Sequence, residues 1–216
     1  AEVSLLNNSL AGVNVKGNKF FYVNPLEADG HRLFNHGSAG RSPWFDCACC
    51  PSNIARVVNH VGGYMYAVED ATIYALLYSG NEVTLAVNDT QVTLKQSTRY
   101  PYAGAIRIEI DLGTPAAFAV KLRIPTWALG ERFVPGDLYR YTEKATSPWT
   151  LHVNGKKLLL DVYKGFVEIN RIWSAGDTIE LDLPMDVRFN QCDSRVVDNR
   201  GRVCLTRGPL VLCAEE

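Results

Sequence analysis

The chain has 216 residues, 47% of them hydrophobic, and its 22 basic and 23 acidic side chains give a formal net charge of -1. This balance is typical of an ordinary globular protein with one large or two small domains. No basic run and no apolar stretch of membrane-spanning length is present, so neither nucleic acid nor membrane is a predicted partner. No signal peptide is visible, and the sequence leaves the compartment open between cytoplasm and periplasm.

The first predicted element is an amphipathic helix over residues 2–13. Its apolar side chains recur at helical spacing, at Val3, Leu6, Leu10 and Val13. The helix begins at the first residue without a capping signal, so we expect it to be a remnant of a larger helical domain. A second copy of the chain would cover the stripe formed by Val3, Leu6 and Leu10, which predicts a homodimer.

An irregular stretch separates this helix from a second one. Residues 20–23 predict a short extended segment that ends at Asn24-Pro25. Residues 26–46 are rich in Gly, His, Arg and Asn and predict a loop, and loops of this length are usually functional. The second helix is predicted to begin at Pro51, a favoured first helical residue, and to end at Gly62-Gly63.

The hydrophobic pattern changes to a period of two from Tyr64 onward. Ile106, Ile108 and Ile110 alternate with charged residues, and turn signals separate the apolar runs. Strands are predicted over residues 72–78, 82–88, 106–110, 117–124, 165–170, 179–183, 202–206 and 209–213, with a long excursion at 125–149. Many short strands separated by turns indicate an antiparallel β-sandwich. The chain is therefore expected to be mainly β, with a helical segment at 1–63 before a β-sandwich at 64–216.

Three of the six cysteines, Cys47, Cys49 and Cys50, are clustered just before the second helix. A disulfide scaffold spreads its cysteines to staple distant loops, so this clustering indicates metal or reactive-thiol chemistry. Thiols at the amino end of a helix have a lowered pKa because free N–H groups and the helix dipole stabilise the thiolate. Adjacent Cys49 and Cys50 suit a shared zinc ion better than a mutual disulfide, whose eight-membered ring is strained.

Two other interpretations of the cluster stay open. In the first, the three thiols are inert core residues. In the second, they bind a purely structural zinc ion, although the chain offers no second CxxC and no His pair at zinc-finger spacing. The remaining cysteines lie in or beside predicted strands and are expected to be buried small hydrophobes: Cys192, Cys204 and Cys213.

Several strings of the sequence resemble glycoside hydrolase family 127, the β-L-arabinofuranosidases. The most specific is the CxCCPxN motif, which lies within WFDCACCPSNIARVV at 44–58. The flanking strings are FFYVNPLE at 20–27 and GGYMY at 62–66. The later part of the chain resembles the β-sandwich of the same proteins, through LRIPTWA at 122–128, LHVNGK at 151–156, IELDLPMDVR at 179–188 and RGPLVLCAEE at 207–216.

This resemblance implies a helical (α/α)6 barrel followed by β-sandwich domains, with residues 1–63 as a remnant of the barrel. It also implies a retaining glycosidase in which a zinc-bound cysteine thiolate attacks the anomeric carbon of an arabinofuranoside, beside a glutamate that acts as acid/base and as a ligand. By position, Cys49 matches the nucleophile and Cys50 a zinc ligand, while Cys47 belongs to the motif without a clear role. The family's glutamate and a further ligating cysteine lie upstream of the matching positions, so we expect this chain alone to be inactive.

Two further residues are predicted to contact the substrate, an arabinose-containing oligosaccharide or glycan. Tyr22, in the FFYVNP string, would line the sugar pocket, and His36, in the loop before the cysteines, would reach a sugar hydroxyl. The alternatives are an ordinary packed aromatic for Tyr22 and a solvated loop histidine for His36, as for His31.

Three functions are compatible with these patterns. The first is the C-terminal part of a zinc-dependent retaining glycosidase with a cysteine nucleophile. The second is a non-catalytic β-sandwich module that binds carbohydrate or supports a catalytic domain, and the third is a protein with a structural zinc-thiolate site. The cysteine motif favours the first.

Overall fold

The computed structural model describes residues 1–25, 28–47, 49–145 and 147–213. The chain divides into two compact units, Ala1–Gly63 and Tyr64–Glu216. In the described part of the chain, no helix is both long enough and apolar enough to cross a membrane.

The first unit begins with a helix that is shorter than predicted. Helix α1 spans Glu2–Ser4 and continues as a π-helical turn over Leu5–Ser9, whereas the sequence predicted a helix to residue 13. A tight turn follows instead, because the side-chain oxygen of Asn14 accepts hydrogen bonds from the N–H groups of Asn18 and Lys19. Leu10 is 45% exposed, and the homodimer stays a prediction.

The predicted extended segment at 20–23 is reduced to isolated bridges. Phe20 pairs with Val13 on one side and with Ser42 on the other. The described residues form only these single bridges there and no strand. The second bridge joins Ser42, inside the predicted loop, to this segment.

The second helix, α2, spans Cys49–His60 and is followed by a 3-10 helix at Val61–Tyr64. It begins two residues before Pro51, where the sequence predicted its start. Proline is tolerated there because the N–H groups of the first helical turn have no partner within the helix. The earlier start places Cys49 and Cys50 in the first turn of the helix itself.

The second unit is built from short strands that form three sheets. Along the described chain they are β1 (Tyr66–Glu69), β2 (Thr72–Ala75), β3 (Asn81–Val87), β4 (Thr90–Thr98), β5 (Ala105–Leu112), β6 (Ala116–Arg123), β7 (Tyr139–Tyr141), β8 (Thr150–Val153), β9 (Lys156–Leu158), β10 (Phe166–Trp173), β11 (Asp177–Asp182), β12 (Val187–Cys192), β13 (Val203–Arg207) and β14 (Leu210–Leu212). The sheet orders are β1-β2-β6-β10, β3-β4-β5-β11-β8-β9 and β14-β13-β12-β7. In the described residues, β2 and β6 run parallel and the other strand pairs run antiparallel.

The first two sheets form the predicted β-sandwich. The alternation is clearest in β5, where every second side chain from Ile106 to Leu112 is buried in the core. Fully buried residues come from both sheets: Ile73, Leu94, Ile110, Leu122, Leu151, Val167, Trp173 and Ile179. The Tyr66 hydroxyl of the first sheet also accepts a hydrogen bond from Gln96 of the second. The prediction of a mainly β protein with antiparallel sheets is confirmed.

One backbone contact is close enough to require glycine. The carbonyl of Gly104, just before β5, accepts a hydrogen bond from the N–H of Leu183, and a Cβ atom at Gly104 would clash with the Leu183 carbonyl oxygen. The residue therefore marks a point where the ends of β5 and β11 approach without room for a side chain.

The third sheet contains β12, a strand that the sequence pattern did not predict. Two of its exposed residues, Val187 and Phe189, are apolar, and its buried residues, Arg188 and Asn190, are polar. The buried Arg188 guanidinium stacks on the Tyr141 ring, with its Cζ atom 3.3 Å from the ring centroid, and donates hydrogen bonds to backbone carbonyls. The buried polar residues thus have partners that only the folded chain brings to them.

Candidate functional site

The three clustered thiols lie together in the first unit, at the start of α2. The Sγ atoms of Cys49 and Cys50 are 3.6 Å apart, and those of Cys47 and Cys49 are 3.8 Å apart. Cys47 and Cys49 are exposed and Cys50 is partly buried. The interpretation of the cluster as inert core thiols is therefore wrong for Cys47 and Cys49, and the expectation that Cys213 is buried is also wrong.

Tyr22 approaches the cluster from the predicted extended segment at 20–23. Its hydroxyl lies 3.2 Å from the Cys49 Sγ atom and 3.8 Å from that of Cys47. The hydrogen bond with Tyr22, followed by those with the neighbouring thiols, lowers the pKa of Cys49 below its usual value. The same contact raises the pKa of Tyr22, so the hydroxyl stays protonated and acts as the hydrogen-bond donor to the Cys49 sulfur.

The two adjacent thiols have opposite pKa shifts. Burial raises the pKa of Cys50, and its contact with Cys49 adds to the increase. Cys49 is the first residue of α2 and is exposed, so the free N–H groups of the first turn further favour its thiolate. Of the two, Cys49 is the better nucleophile by position and by hydrogen bonding.

An aromatic wall stands beside the thiols. The Tyr22 and His36 rings are 4.2 Å apart between centroids, and each lies about 5.5 Å from the ring of Phe45, which is 6% exposed. The structure thus brings together four predicted site residues: Tyr22, His36, Cys49 and Cys50. His31 belongs to a separate turn, in which its backbone N–H donates to Asp29.

An open depression of about 370 Å³ lies over one face of α2 and is lined by Cys49, Cys50, Ser52, Asn53 and Arg56. Its volume is within the range of small-molecule sites. Sequence reasoning missed the last three residues. Their spacing of three, four and seven residues from Cys49 is the signal that could have placed them on the face of the helix that carries this thiol.

The spacing of the thiols fits zinc–thiolate coordination in part. Tetrahedral zinc with Zn–S bonds of about 2.3 Å holds two sulfur atoms roughly 3.8 Å apart, close to the separations found here. Among the described residues, however, no group of three or more His, Cys, Asp or Glu side chains is arranged to hold a metal ion. The local peptide therefore offers part of a zinc ligand set, with Cys49 and Cys50 as its best candidates.

Family models match along the chain in three consecutive segments. Residues 72–185 match the β-L-arabinofuranosidase GH127 middle domain, residues 1–63 match the GH127 catalytic domain, and residues 187–216 match the glycoside hydrolase family 127 C-terminal domain. The chain belongs to glycoside hydrolase family 127.

Individual relatives agree with this assignment. The chain is 34% identical to a non-reducing end β-L-arabinofuranosidase of Bifidobacterium longum subsp. longum, over all of this chain and 31% of the relative. A solved GH127 β-arabinofuranosidase superposes with a TM-score of 0.90 at 39% identity, over 99% of this chain and 32% of that one. A GH127 β-L-arabinofuranosidase from Geobacillus stearothermophilus T6 gives a TM-score of 0.83 at 31% identity, over 97% and 31%. The chain thus spans about a third of the length of these relatives.

Proposed function

We propose that this chain carries the nucleophile of a zinc-dependent retaining glycosidase that acts on β-L-arabinofuranosides in oligosaccharides or glycans. The observation that supports this function best is the pair of thiols at the start of α2, with the Tyr22 hydroxyl 3.2 Å from Cys49 Sγ and Cys50 Sγ 3.6 Å away. The names of the relatives supply the sugar class.

The proposed reaction proceeds in two displacements. The Cys49 thiolate attacks the anomeric carbon, a C–S bond forms, and the bond to the leaving oxygen breaks as a general acid of the enzyme protonates that oxygen. A water molecule then attacks the same carbon, the C–S bond breaks, and the general base takes the proton of the water. The electron pair returns to the Cys49 sulfur, and the configuration of the sugar is retained.

Cys49 and Cys50 would hold the zinc ion, with other ligands supplied from outside the described residues. When bound, zinc would keep the thiolate ionised at neutral pH and make it a better leaving group. The Tyr22 hydroxyl supports the same state by donating to the Cys49 sulfur, most usefully when the sulfur regains its charge in the second displacement.

His36 and Tyr22 are the proposed substrate contacts. Their rings pack side by side next to the thiols, and neither ring is fully buried. A furanose ring held against this wall would place its hydroxyls near the His36 imidazole. We further propose that the 216-residue chain alone does not hydrolyse glycosides, because no glutamate in it matches the acid/base of the family.

The test is a Cys49→Ser variant of the enzyme at the length of its relatives, assayed by hydrolysis of an arabinofuranoside. Loss of the nucleophile is expected to reduce kcat by more than ~10⁴-fold, because a serine hydroxyl is far less ionised than a thiolate. Cys213→Ser, which changes an exposed cysteine of the second unit, is the matched control and should leave the rate unchanged.

Two measurements separate the parts of this proposal. Mass spectrometry of the enzyme quenched during turnover should find one pentosyl unit on the peptide that contains Cys49. Elemental analysis should find zinc in the wild type and less of it in Cys50→Ser. Near-normal hydrolysis by Cys49→Ser contradicts the nucleophile assignment, whereas full activity in enzyme free of zinc contradicts the metal assignment alone.

A further inference from the structure

Among the described residues of the first unit, Asn35 is the most deeply buried polar side chain, at 0% exposed. Asparagine is rarely buried to this degree unless its amide is hydrogen-bonded. Nothing in the sequence marks Asn35 as part of the site, because it lies in the polar loop before His36. Its burial indicates that the loop is organised around its side chain.

The Asn35 side chain connects three segments of the chain. Its Oδ1 atom accepts a hydrogen bond from the backbone N–H of Tyr22 at 2.6 Å. Its Nδ2 atom donates to the carbonyl of Gly40 at 2.8 Å and, more weakly, to that of Phe20 at 3.4 Å. Both polar atoms of the amide are therefore used, and the backbone of Tyr22 is fixed from within the unit.

The backbone of Asn35 holds His36 as well. Asn35 and Ser38 exchange both N–H to carbonyl hydrogen bonds, at 2.8 and 3.2 Å, and close a two-residue turn. The central residues of this turn, His36 and Gly37, have positive φ angles of 51° and 84°, as a type I′ turn requires. The turn presents the His36 ring 4.2 Å from the Tyr22 ring.

We propose that Asn35 is a positioning residue of the site, which holds Tyr22 with its hydroxyl at the Cys49 sulfur and holds His36 against Tyr22. The functional meaning of this role rests on the proposed function, but the geometric claim does not. The proposal stands on two linked contacts, because Asn35 is hydrogen-bonded to the backbone of the tyrosine whose hydroxyl contacts the candidate nucleophile.

The test uses fluorine NMR of protein labelled with 3-fluorotyrosine to monitor the contact between Tyr22 and Cys49. The Tyr22 resonance is assigned by its loss in Tyr22→Phe. In the wild-type background, Cys49→Ala should shift this resonance, because it removes the sulfur 3.2 Å from the hydroxyl. In the Asn35→Ala background, the shift caused by Cys49→Ala should be lost, since the ring is no longer held at the thiol.

Asn190→Ala is the matched control, because Asn190 is a buried asparagine of the second unit, 3% exposed and hydrogen-bonded to Thr206. It should leave the shift intact although it also removes a buried amide. An equal shift in the Asn35→Ala and wild-type backgrounds would overturn the proposal, whatever the enzyme's activity proves to be.

Asn35→Asp decides the question if Asn35→Ala does not fold. Aspartate keeps an oxygen that can accept from the Tyr22 N–H, but it replaces the amide donor with a second carboxyl oxygen, which when ionised is charged and cannot donate to the Gly40 and Phe20 carbonyls. Retention of the shift in a folded Asn35→Asp protein supports the assignment, and its loss there contradicts it. In the active enzyme, Asn35→Asp should likewise keep more of kcat than Asn35→Ala, with KM changed less than kcat.

Discussion

Tyr22→Phe removes one hydroxyl from the candidate site and little else. The phenylalanine ring keeps its contacts with His36 and Phe45, whose centroids lie 4.2 and 5.4 Å from the ring of Tyr22. The backbone hydrogen bond to Asn35 is also unaffected, since it involves the N–H group. Any change in catalysis therefore reports on the hydroxyl at the Cys49 sulfur.

The size of the effect follows from the geometry of that contact. A hydrogen bond to a charged acceptor is stronger than one to a neutral acceptor, but sulfur is a weak acceptor and the group is open to water, which competes for it. The hydroxyl also lies 3.8 Å from the Cys47 sulfur, so its hydrogen bond is divided between two sulfur atoms. These factors place the expected loss in kcat/KM at about 5- to 10-fold.

The assay compares initial rates of arabinofuranoside hydrolysis for the wild-type enzyme and for Tyr22→Phe. Tyr163→Phe serves as the control, because Tyr163 is a tyrosine of the second unit that is 73% exposed. A rate within twofold of the wild type for Tyr22→Phe would show that the hydroxyl does not assist the thiolate. A loss beyond 10³-fold would equally refute the reasoning, since one exposed hydrogen bond cannot account for it.

Two predictions concern the stability of the β unit. Gly104→Ala should lower the free energy of unfolding in urea by about 3 kcal/mol, because its Cβ atom would clash with the Leu183 carbonyl, and an unchanged midpoint would show that the strand ends separate easily. Arg195 lowers the pKa of both Asp137 and Asp193 by pairing with them. Lowered carboxyl pKa values stabilise the folded state above their ordinary value of 3.8, and this contribution disappears as the pH falls through the lowered values. Arg195→Gln should therefore reduce Tm at neutral pH but not in strong acid, and an equal difference at both pH values would contradict this origin.

The regular strands of the sandwich could be predicted from the sequence because their environment is regular. In β5 one face meets the core and the other meets water, so Ile108 occurs in clean alternation with charged residues, and β11 follows the same pattern from Ile179 to Asp182. Strand β12 could not be predicted in this way. Its buried Arg188 depends on the ring of Tyr141, which belongs to a distant part of the chain. A local pattern cannot reveal a buried cation whose partners are non-local.

In the candidate site, too, the local features could be predicted from the sequence and the non-local contacts could not. The clustered cysteines and the helix after them are local, and the sequence is sufficient to place the thiols at the amino end of a helix, although it puts the start of α2 at Pro51 and not at Cys49. The contact of Tyr22 with Cys49 depends on the fold of the intervening loop, and so does the role of Asn35. An asparagine that organises a loop from inside has the same local signature as one that is exposed on it.

The parallel pairing of β2 with β6 has a consequence for how the sandwich is assembled. In that sheet Ile73 pairs with Val120, and Val120 pairs in turn with Ile169, so its central strand joins partners that are far apart in the chain. The other sheet grows from the consecutive hairpins of β3, β4 and β5. Local hairpins close quickly and distant pairings slowly. During synthesis on the ribosome, the hairpin of β1 and β2 therefore lacks its parallel partner until β6 emerges, and until then Ile73 stays exposed and prone to aggregation.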